Sequence, residues 1–226
     1  MKITYYGHSC FGVEVASIKI VFDPFIQPNK LASSINLTEI EADYMVVSHG
    51  HEDHTADLIE LAKQTNATVI SNYEIIEWVK SKGIKKVHAM NTGGSFTFDF
   101  GTIKSVFAAH SSSLPDGTYG GNPNGYIIKA NGKTLYYAGD TALTTEMKLI
   151  GEFENVDLSI LPIGDNFTMG INDAIIAANF IDCNEVIGMH FDTFLPIKID
   201  HNKAIKAFKN KGVNLQLLSI GQTVAI

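Results

Sequence analysis

The chain has 226 residues, a formal net charge of −7, and a composition that is 45% hydrophobic and 18% charged. This balance excludes a disordered chain, and it lacks the positive charge that a general duplex-DNA-binding protein needs. The two cysteines, Cys10 and Cys183, are too few for a disulfide scaffold and lack zinc-knuckle spacing, so we expect a protein of the reducing cytoplasm.

The first residues predict a strand and not a targeting segment. The run 3–6 is β-branched and aromatic, and no apolar stretch of signal-peptide or membrane-spanning length follows it. We therefore expect no leader peptide and no association with a membrane.

The first half of the chain is rich in strands. Short apolar or β-branched runs predict strands at 3–6, 11–15, 19–22, 44–47, 68–71, 86–89, 95–98 and 102–108. The run 44–47 is continuously apolar, which is typical of a strand covered on both faces. Helical spacing of apolar residues predicts helices over 57–63 and 73–82, whereas 27–37 has the composition of a loop.

The second half repeats this order of elements. The patterns predict a hairpin of 125–130 with 133–138 around Asn131-Gly132, helices over 144–151, 173–181 and 203–211, and strands at 158–161, 186–189, 215–219 and 223–226. The glycine-rich segment 111–125 is long for a plain connection, and such loops are often functional. With no linker composition between the halves, we predict a single domain over residues 1–226. Its fold class is α/β, with two sheets face to face and helices outside, an αββα sandwich.

A chemistry-bearing motif directly follows the strand 44–47. The sequence HGHEDH places His49, His51, Asp53 and His54 within six residues. Imidazole and carboxylate groups are common ligands of zinc, iron and manganese. A turn leaving a strand can bring the first two histidines inward together, whereas the adjacent Asp53 and His54 suit a second metal. The motif therefore predicts half of a two-metal site.

Two metals need more ligands than this motif contains, and further candidates stand where predicted strands end. His110 follows the strand 102–108, Asp140 follows 133–138, and His190 follows 186–189. Because side chains from separate strands converge where the strands end, we expect these three residues to join the motif.

The chain resembles the metallo-β-lactamase superfamily in a set of residues that occur in the same order. They are His49, His51, Asp53, His54, His110, Asp140 and His190. The resemblance implies a four-layer αββα sandwich with the site at one edge of the two sheets. It implies that His49, His51 and His110 hold one metal. Asp53, His54 and His190 would hold the other metal, and Asp140 would bridge the two. True β-lactamases of the superfamily usually carry cysteine in place of that aspartate, so its presence here points towards hydrolases and lactonases.

A closer likeness covers nearly the whole chain. It is to a small family of stand-alone metal-dependent hydrolases related to the L-ascorbate-6-phosphate lactonases. The motifs that carry it are Gly7-His8-Ser9, Asp23-Pro24-Phe25, Gly120-Gly121-Asn122-Pro123, Ala138-Gly139-Asp140-Thr141-Ala142, the run LPIGDNFTMG at 161–170 and the run MHFDTF at 189–194. The resemblance does not supply the physiological substrate.

The mechanism that follows is metal-dependent hydrolysis. Two metals about 3.5–4 Å apart would share a bridging hydroxide, which attacks an ester, lactone, amide or phosphodiester bond of a small substrate. Asp53 is the candidate catalytic residue, because it could both ligate a metal and transfer a proton. Few Lys or Arg residues stand near the ligands in the sequence, which disfavours large polyanionic substrates.

Four further residues are candidates for orienting the metal ligands or lining the substrate pocket. Asp23 ends a strand and could hold a ligand imidazole through its second nitrogen. His8 also ends a strand, and it could reach the site or be a structural histidine. Asp165 and Asn166 lie in a loop after a buried strand, where substrate specificity often resides.

The expected cofactors are two divalent metal ions per chain, with zinc favoured and manganese, iron or nickel as alternatives. The expected partner is a small-molecule substrate, with no nucleic acid and no membrane. Two other functions stay open: a catalytically inactive metal- or ligand-binding sensor on the same fold, and a di-iron redox enzyme. The native metal, the substrate and the oligomeric state are not specified by the sequence.

Overall fold

The structure, a computed structural model, describes residues 1–226 as two seven-stranded sheets and six α-helices. The first sheet contains β1 (Lys2–Gly7), β2 (Cys10–Val15), β3 (Ile18–Phe22), β4 (Tyr44–Val46), β5 (Thr68–Ser71), β6 (Val87–Ala89) and β14 (Thr223–Ala225). The second sheet contains β7 (Ser95–Phe98), β8 (Gly101–Phe107), β9 (Asn124–Ala130), β10 (Lys133–Tyr137), β11 (Leu158–Pro162), β12 (Glu185–Met189) and β13 (Asn214–Gln216). The helices are α1 (Glu52–Thr55), α2 (Leu58–Thr65), α3 (Tyr73–Ser81), α4 (Met147–Phe153), α5 (Ile171–Ile181) and α6 (His201–Lys209).

The two sheets share one internal plan. The strand order is β14-β1-β2-β3-β4-β5-β6 in the first sheet and β7-β8-β9-β10-β11-β12-β13 in the second. In each sheet the first three pairings in this order are antiparallel and the last three are parallel. The second half of the chain therefore does repeat the architecture of the first, as the order of predicted elements indicated.

The alternation of side chains along β4 shows how the layers are held together. Val46 faces the second sheet and joins the core between the sheets, whereas Met45 and Val47 face outward and pack with Leu61 and Val79 of α2 and α3. Both faces of this strand are buried, which explains its continuous apolar sequence. On the other side, α4, α5 and α6 cover the second sheet, so the predicted αββα sandwich is confirmed.

The strand directions explain where a functional site can form. In the first sheet β1, β3 and β4 run the same way, and in the second sheet β8, β10 and β12 do so. Parallel strands place their carboxyl ends at one edge. Chain segments that leave these six strands therefore meet at the same edge of the sandwich.

Several element boundaries differ from the sequence predictions, each for a local reason. Helix α4 begins at Met147 and not at 144, because the N–H groups of Lys148 and Leu149 bond three residues back and form a tight turn. Helix α6 begins at His201 and not at 203, because the Asp200 carboxylate caps it by accepting from the Lys203 N–H at 3.0 Å.

Two other segments also depart from the predictions. The expected loop 27–37 contains short 3₁₀ turns at Lys30–Ala32 and Leu37–Glu39, each capped by an asparagine side chain. Strand β13 ends at Gln216 and not at 219, because the chain then leaves the second sheet and returns as β14 to pair with β1. None of the six helices combines the length and the apolar character that a membrane crossing requires.

Candidate metal centre

The candidate residues leave their strands at the shared edge. His8, Asp23 and His190 are each the residue that directly follows a strand, namely β1, β3 and β12. All three adopt the left-handed backbone region, with φ of 56°, 42° and 56° respectively. Such a conformation costs about 1–3 kcal/mol in a residue other than glycine. The surrounding structure holds all three residues in it at the edge where the strands end.

The HGHEDH motif forms a turn and the short helix α1. His49 follows β4 after two residues, His51 is the N-cap of α1, and Asp53 and His54 lie in its first turn. The Thr55 hydroxyl donates to the His51 carbonyl at 2.9 Å and closes this turn. The turn brings the first two histidines inward, and the helix presents the following Asp-His pair to the same edge.

Asp140 lies in a turn that requires glycine at position 139. Gly139 has a φ of 61°, and a Cβ atom there would lie 2.8 Å from the carbonyl oxygen of Asn124. The next residue, Thr141, accepts the Ala109 N–H at 3.0 Å through its hydroxyl oxygen. This bond ties the Asp140 turn to the segment that carries His110.

Asp140 lies at the centre of the cluster. Its Oδ2 atom is 3.0 Å from His190 Nε2, 3.4 Å from His54 Nε2, 3.5 Å from His110 Nε2 and 4.0 Å from His49 Nε2. The carboxylate is 2% exposed. One oxygen atom therefore approaches imidazoles that come from both sheets.

Around this aspartate lie two groups of side chains whose ligand atoms are within 4.8 Å of one another, and a third set, Asp23 with His49 and His54, overlaps both. One group contains His49, His51 and His110. The other contains His8, Asp53, His54 and His190. The sequence resemblance divides the ligands in the same way, except that it does not include His8.

The buried carboxylate of Asp23 orients one imidazole in each group. Its Oδ2 accepts the His54 Nδ1–H at 2.7 Å and the Ser48 hydroxyl at 2.5 Å. The Ser48 oxygen, having donated its only proton, accepts the Nδ1–H of His49 at 2.9 Å. Both imidazoles therefore point Nδ1 at this network, which leaves Nε2 as the atom that each presents to its group.

The electrostatics follow from burial and from these contacts. Burial, together with the neighbouring His54, holds the pKa of His49 well below its ordinary value, so this imidazole is neutral. Burial acts to raise the pKa of Asp140, but the imidazoles of His190 and His54 outweigh it and hold that pKa well below the ordinary value. Burial likewise opposes ionisation of Asp53, but the hydrogen bond from His8 and the imidazole of His54 together outweigh it, so the pKa of Asp53 is lowered.

The donor set fits divalent cations. The buried Nε2 of His54 and the buried Oδ1 of Asp140 have no hydrogen-bond partner. A buried polar atom without a partner costs about 1–3 kcal/mol, and two such atoms at the centre of a histidine and aspartate cluster match the ligand atoms that zinc and related metals take. Burial acts to lower the pKa of His54, but the carboxylates of Asp140 and Asp23 outweigh it and hold that pKa well above the ordinary value. Because a metal binds the neutral imidazole, a cation at this site would take the place of the proton on His54 Nε2.

Comparison with known proteins agrees with this geometry. The family model described as "Beta-lactamase superfamily domain" matches residues 2–190. Curated relatives named "UPF0173 metal-dependent hydrolase" are 51% identical in Flavobacterium johnsoniae and 49% identical in Methylacidiphilum infernorum, each over the full length of both chains. The chain belongs to this hydrolase family of the β-lactamase superfamily.

A solved structure extends the agreement to three dimensions. The metallo hydrolase Igni18 from Ignicoccus hospitalis is 36% identical, has a TM-score of 0.89, and is matched over 99% of this chain and 97% of its own. The resemblance to the metallo-β-lactamase superfamily, the sandwich fold and the expectation of a metal-dependent hydrolase are confirmed for this member of the UPF0173 family.

Sequence reasoning missed several residues that support the centre of this hydrolase. Ser48 and Tyr137 donate to Asp23, Ser111 lies with its hydroxyl 3.3 Å from His51 Nε2, and Thr193 lies 2.9 Å from His8 Nδ1. Ser48, Ser111 and Thr193 stand within three residues of a candidate ligand, which is the signal that could have found them. Tyr137 also stands three residues before Asp140, but its partner Asp23 lies 114 residues away.

The loop candidates Asp165 and Asn166 are placed differently. Both are exposed, both have positive φ, and the Asp165 carboxylate accepts the N–H of Asn166 at 2.8 Å. The structure gives neither side chain a hydrogen bond or ion pair with the His/Asp cluster. Their turn lies close to it, however, because the Met169 N–H donates to the Thr141 carbonyl at 3.0 Å.

Proposed function

We propose that this chain hydrolyses an ester, lactone, amide or phosphodiester bond of a small molecule with two divalent metal ions, zinc being the first choice over manganese, iron and nickel. His49, His51 and His110 would hold one ion, and Asp53, His54 and His190 the other, with Asp140 shared. The observation that carries this proposal is the approach of Asp140 Oδ2 to four imidazoles, between 3.0 and 4.0 Å, from both groups. The metals would supply Lewis-acid activation of water and of the substrate oxygen at neutral pH.

The protein's own residues have separate tasks in this reaction. Asp23 and Ser48 hold His54 and His49 with their Nε2 atoms free, so that the site forms without rearrangement. Asp53 is the carboxylate at the open side of the centre, with 25% of its side chain exposed, whereas Asp140 and Asp23 are closed off. We assign to Asp53 the transfer of the proton between water and the leaving group.

The side chains around the opening would receive the substrate. Phe194 is 38% exposed, and its ring centroid lies 5.4 Å from that of His8. The chain contains no arginine, and no lysine forms an ion pair with a residue of the centre. Recognition of a phosphate by arginine is therefore unavailable, which favours an uncharged carbonyl substrate over a phosphodiester.

We also propose a location in the cytoplasm. Cys10 and Cys183 are buried and form no disulfide, which agrees with a reducing compartment.

The test is a hydrolysis panel on protein loaded separately with zinc and with manganese. The panel contains p-nitrophenyl acetate, a γ-lactone, an anilide and bis-p-nitrophenyl phosphate. We expect turnover of the ester or lactone by the zinc-loaded protein, which would exclude both a redox enzyme and an inactive sensor. Absence of turnover across the panel, from protein that holds two metals, would contradict the proposal.

Variants separate the roles of the two carboxylates. Asp140→Asn should lose metal and activity together, because it removes the shared ligand. Asp53→Ala should lower turnover even where the metals are restored by excess zinc. Asp99→Asn, at an exposed turn, is the control and should behave as the unmodified protein. An Asp53→Ala variant that kept both metals and full turnover would refute the proton-transfer role.

A further inference from the structure

His8 lies inside the centre, although the sequence left open whether it reaches the site. Its side chain is 0% exposed. Its ring centroid lies 4.2 Å from that of His190, and the rings of Phe25 and Phe194 meet it edge-on at 5.5 and 5.4 Å. The ring is therefore held in place by its neighbours, and only the partners of its two nitrogens remain to be assigned.

Both nitrogens of His8 have partners. Nε2 lies 3.1 Å from Asp53 Oδ2, and Nδ1 lies 2.9 Å from the Thr193 hydroxyl. A carboxylate can only accept, so Nε2 carries the proton and donates it to Asp53. In a neutral imidazole Nδ1 then accepts, and the Thr193 hydroxyl, which lies closer to it (2.9 Å) than to the Phe191 carbonyl (3.3 Å), supplies the proton. The chain of donors runs from Thr193 through His8 to Asp53.

The partners of the ring nitrogens distinguish His8 from His54 beside it. The buried Nε2 of His54 has no hydrogen-bond partner, as expected of an atom that binds a metal. The Nε2 of His8, in contrast, forms a hydrogen bond with a carboxylate oxygen of Asp53.

The ligand count points the same way. Without His8, each group has three side chains and shares Asp140, so each zinc would have four protein donors. A fifth donor from His8 would take the position that a catalytic zinc keeps for water. The other Asp53 oxygen, Oδ1, faces His54 Nε2 at 4.0 Å. Oδ2, which accepts from His8, lies 3.9 Å from His190 Nε2. His8 therefore holds Asp53 where its two oxygens lie about equally far from the metal-binding atoms of His54 and His190.

We propose that His8 is a positioning residue and not a metal ligand: its Nε2–H fixes the carboxylate of Asp53, and Thr193 fixes the tautomer that makes this possible. The inference rests on the proposed two-metal centre. In this inference His8, the residue with positive φ after β1, orients Asp53, whose carboxylate is the one in the centre that is exposed to solvent.

The test compares two substitutions of His8 in the cobalt-loaded protein. Glutamine can place an amide N–H near the position of Nε2, whereas asparagine is too short to reach Asp53. Cobalt affinity is measured by competition with a chelator, and the visible absorption spectrum reports the ligands. We expect His8→Gln to keep two cobalt equivalents, the spectrum of the unmodified protein and an affinity within about threefold, and His8→Asn to weaken one equivalent by about 10–100-fold.

Further variants keep the test decisive. Thr193→Val removes the hydroxyl with little change of shape, and it should weaken the same equivalent in a protein whose His8 is intact. In an Asp53→Asn background, His8→Asn should have no additional effect, because the residue on which it acts is already altered. His88→Gln changes a histidine on β6, outside the centre, and serves as the control.

The outcomes separate this inference from the proposed function. Fewer than two cobalt equivalents in the unmodified protein would remove the two-metal centre itself. Two equivalents there, with a changed spectrum and a lost equivalent in His8→Gln, would make His8 a ligand and overturn the inference. Equal affinities in every His8 and Thr193 variant would overturn it as well.

Discussion

Asp23 Oδ2 accepts a hydrogen bond from His54 Nδ1 at 2.7 Å, and the side chains of both residues are fully buried. The same oxygen accepts from Ser48, which in turn holds His49. The carboxylate of Asp23, which is not among the proposed metal ligands, thus orients one imidazole in each of the two groups. The order of the centre depends on this buried aspartate as much as on the candidate ligands.

Asp23→Asn should therefore weaken both metals and not only one. The Asp23 carboxylate accepts from four donors: the N–H and the hydroxyl of Ser48, His54 Nδ1–H and the Tyr137 hydroxyl. The amide of asparagine has a single acceptor oxygen, and its NH₂ group would face a donor of His54 or Ser48. We expect metal affinity to fall by about 10–100-fold, measured by chelator competition. Asp99→Asn is the matched control. A loss confined to one equivalent would show that the path through Ser48 to His49 carries no weight.

The neighbouring tyrosines of β10 offer a second prediction, on stability. Tyr137 and Tyr136 are both 0% exposed, but only Tyr137 has a hydroxyl partner, donating to Asp23 at 2.7 Å. Removing a donor from a buried carboxylate should cost about 1–3 kcal/mol, whereas removing an unpaired buried hydroxyl should cost almost nothing. Urea unfolding should therefore show Tyr137→Phe to be destabilised and Tyr136→Phe to be close to the unmodified protein. The reverse order would contradict the hydrogen-bond assignment.

These tyrosines also show what the sequence can and cannot predict. The strand-end positions of His110, Asp140 and His190 were predictable, because the carboxyl ends of parallel strands meet at one edge and the HGHEDH motif marks that edge. Ser48 and Thr193 lie near candidate ligands in the sequence, but their partners Asp23 and His8 lie 25 and 185 residues away. Both tyrosines belong to one apolar run, and only the fold shows which of them reaches Asp23.

The helix and strand bounds that the sequence predicted wrongly have a similar cause. The Asp200 cap of α6 is a local signal that the apolar spacing alone did not include. The end of β13 depends on the return of the chain to the first sheet, which no local pattern contains.

Glu154 gives a pH prediction away from the centre. This residue follows α4 and is 6% exposed, and it pairs with Lys104 of β8 at 2.6 Å and Lys129 of β9 at 2.7 Å. Burial acts to raise its pKa, but the two lysines outweigh burial and lower it. Because the pKa is lower in the folded state than in the unfolded state, the stabilisation is complete above the unfolded pKa and is lost as the pH falls through the folded one.

Unfolding free energy measured by urea between pH 7 and pH 3 should therefore fall less steeply in Glu154→Gln than in the unmodified protein. Glu152→Gln, at an exposed position on α4, should leave the pH dependence unchanged. Parallel curves for the unmodified protein and Glu154→Gln would show that the lysine pairs contribute nothing to acid sensitivity.

Phe194 should affect substrate binding and not the metals. Its ring packs against His8 and is 38% exposed at the opening. Phe194→Ala should raise KM for esters with a large apolar acyl group, change kcat little, and leave the metal content unchanged, since we expect its ring to contact the substrate equally in the ground state and the transition state. Phe153→Ala, on α4 and 64% exposed, is the control. A loss of kcat with unchanged KM would place Phe194 in the chemistry instead.

The most direct measurement is the metal content per chain, by elemental analysis of protein purified without chelator and then supplied with zinc. The two groups around Asp140 predict two equivalents in the unmodified protein and a loss of metal in Asp140→Asn, because both groups share that carboxylate. A single equivalent after supplementation, or a full two equivalents in Asp140→Asn, would contradict the shared two-metal centre.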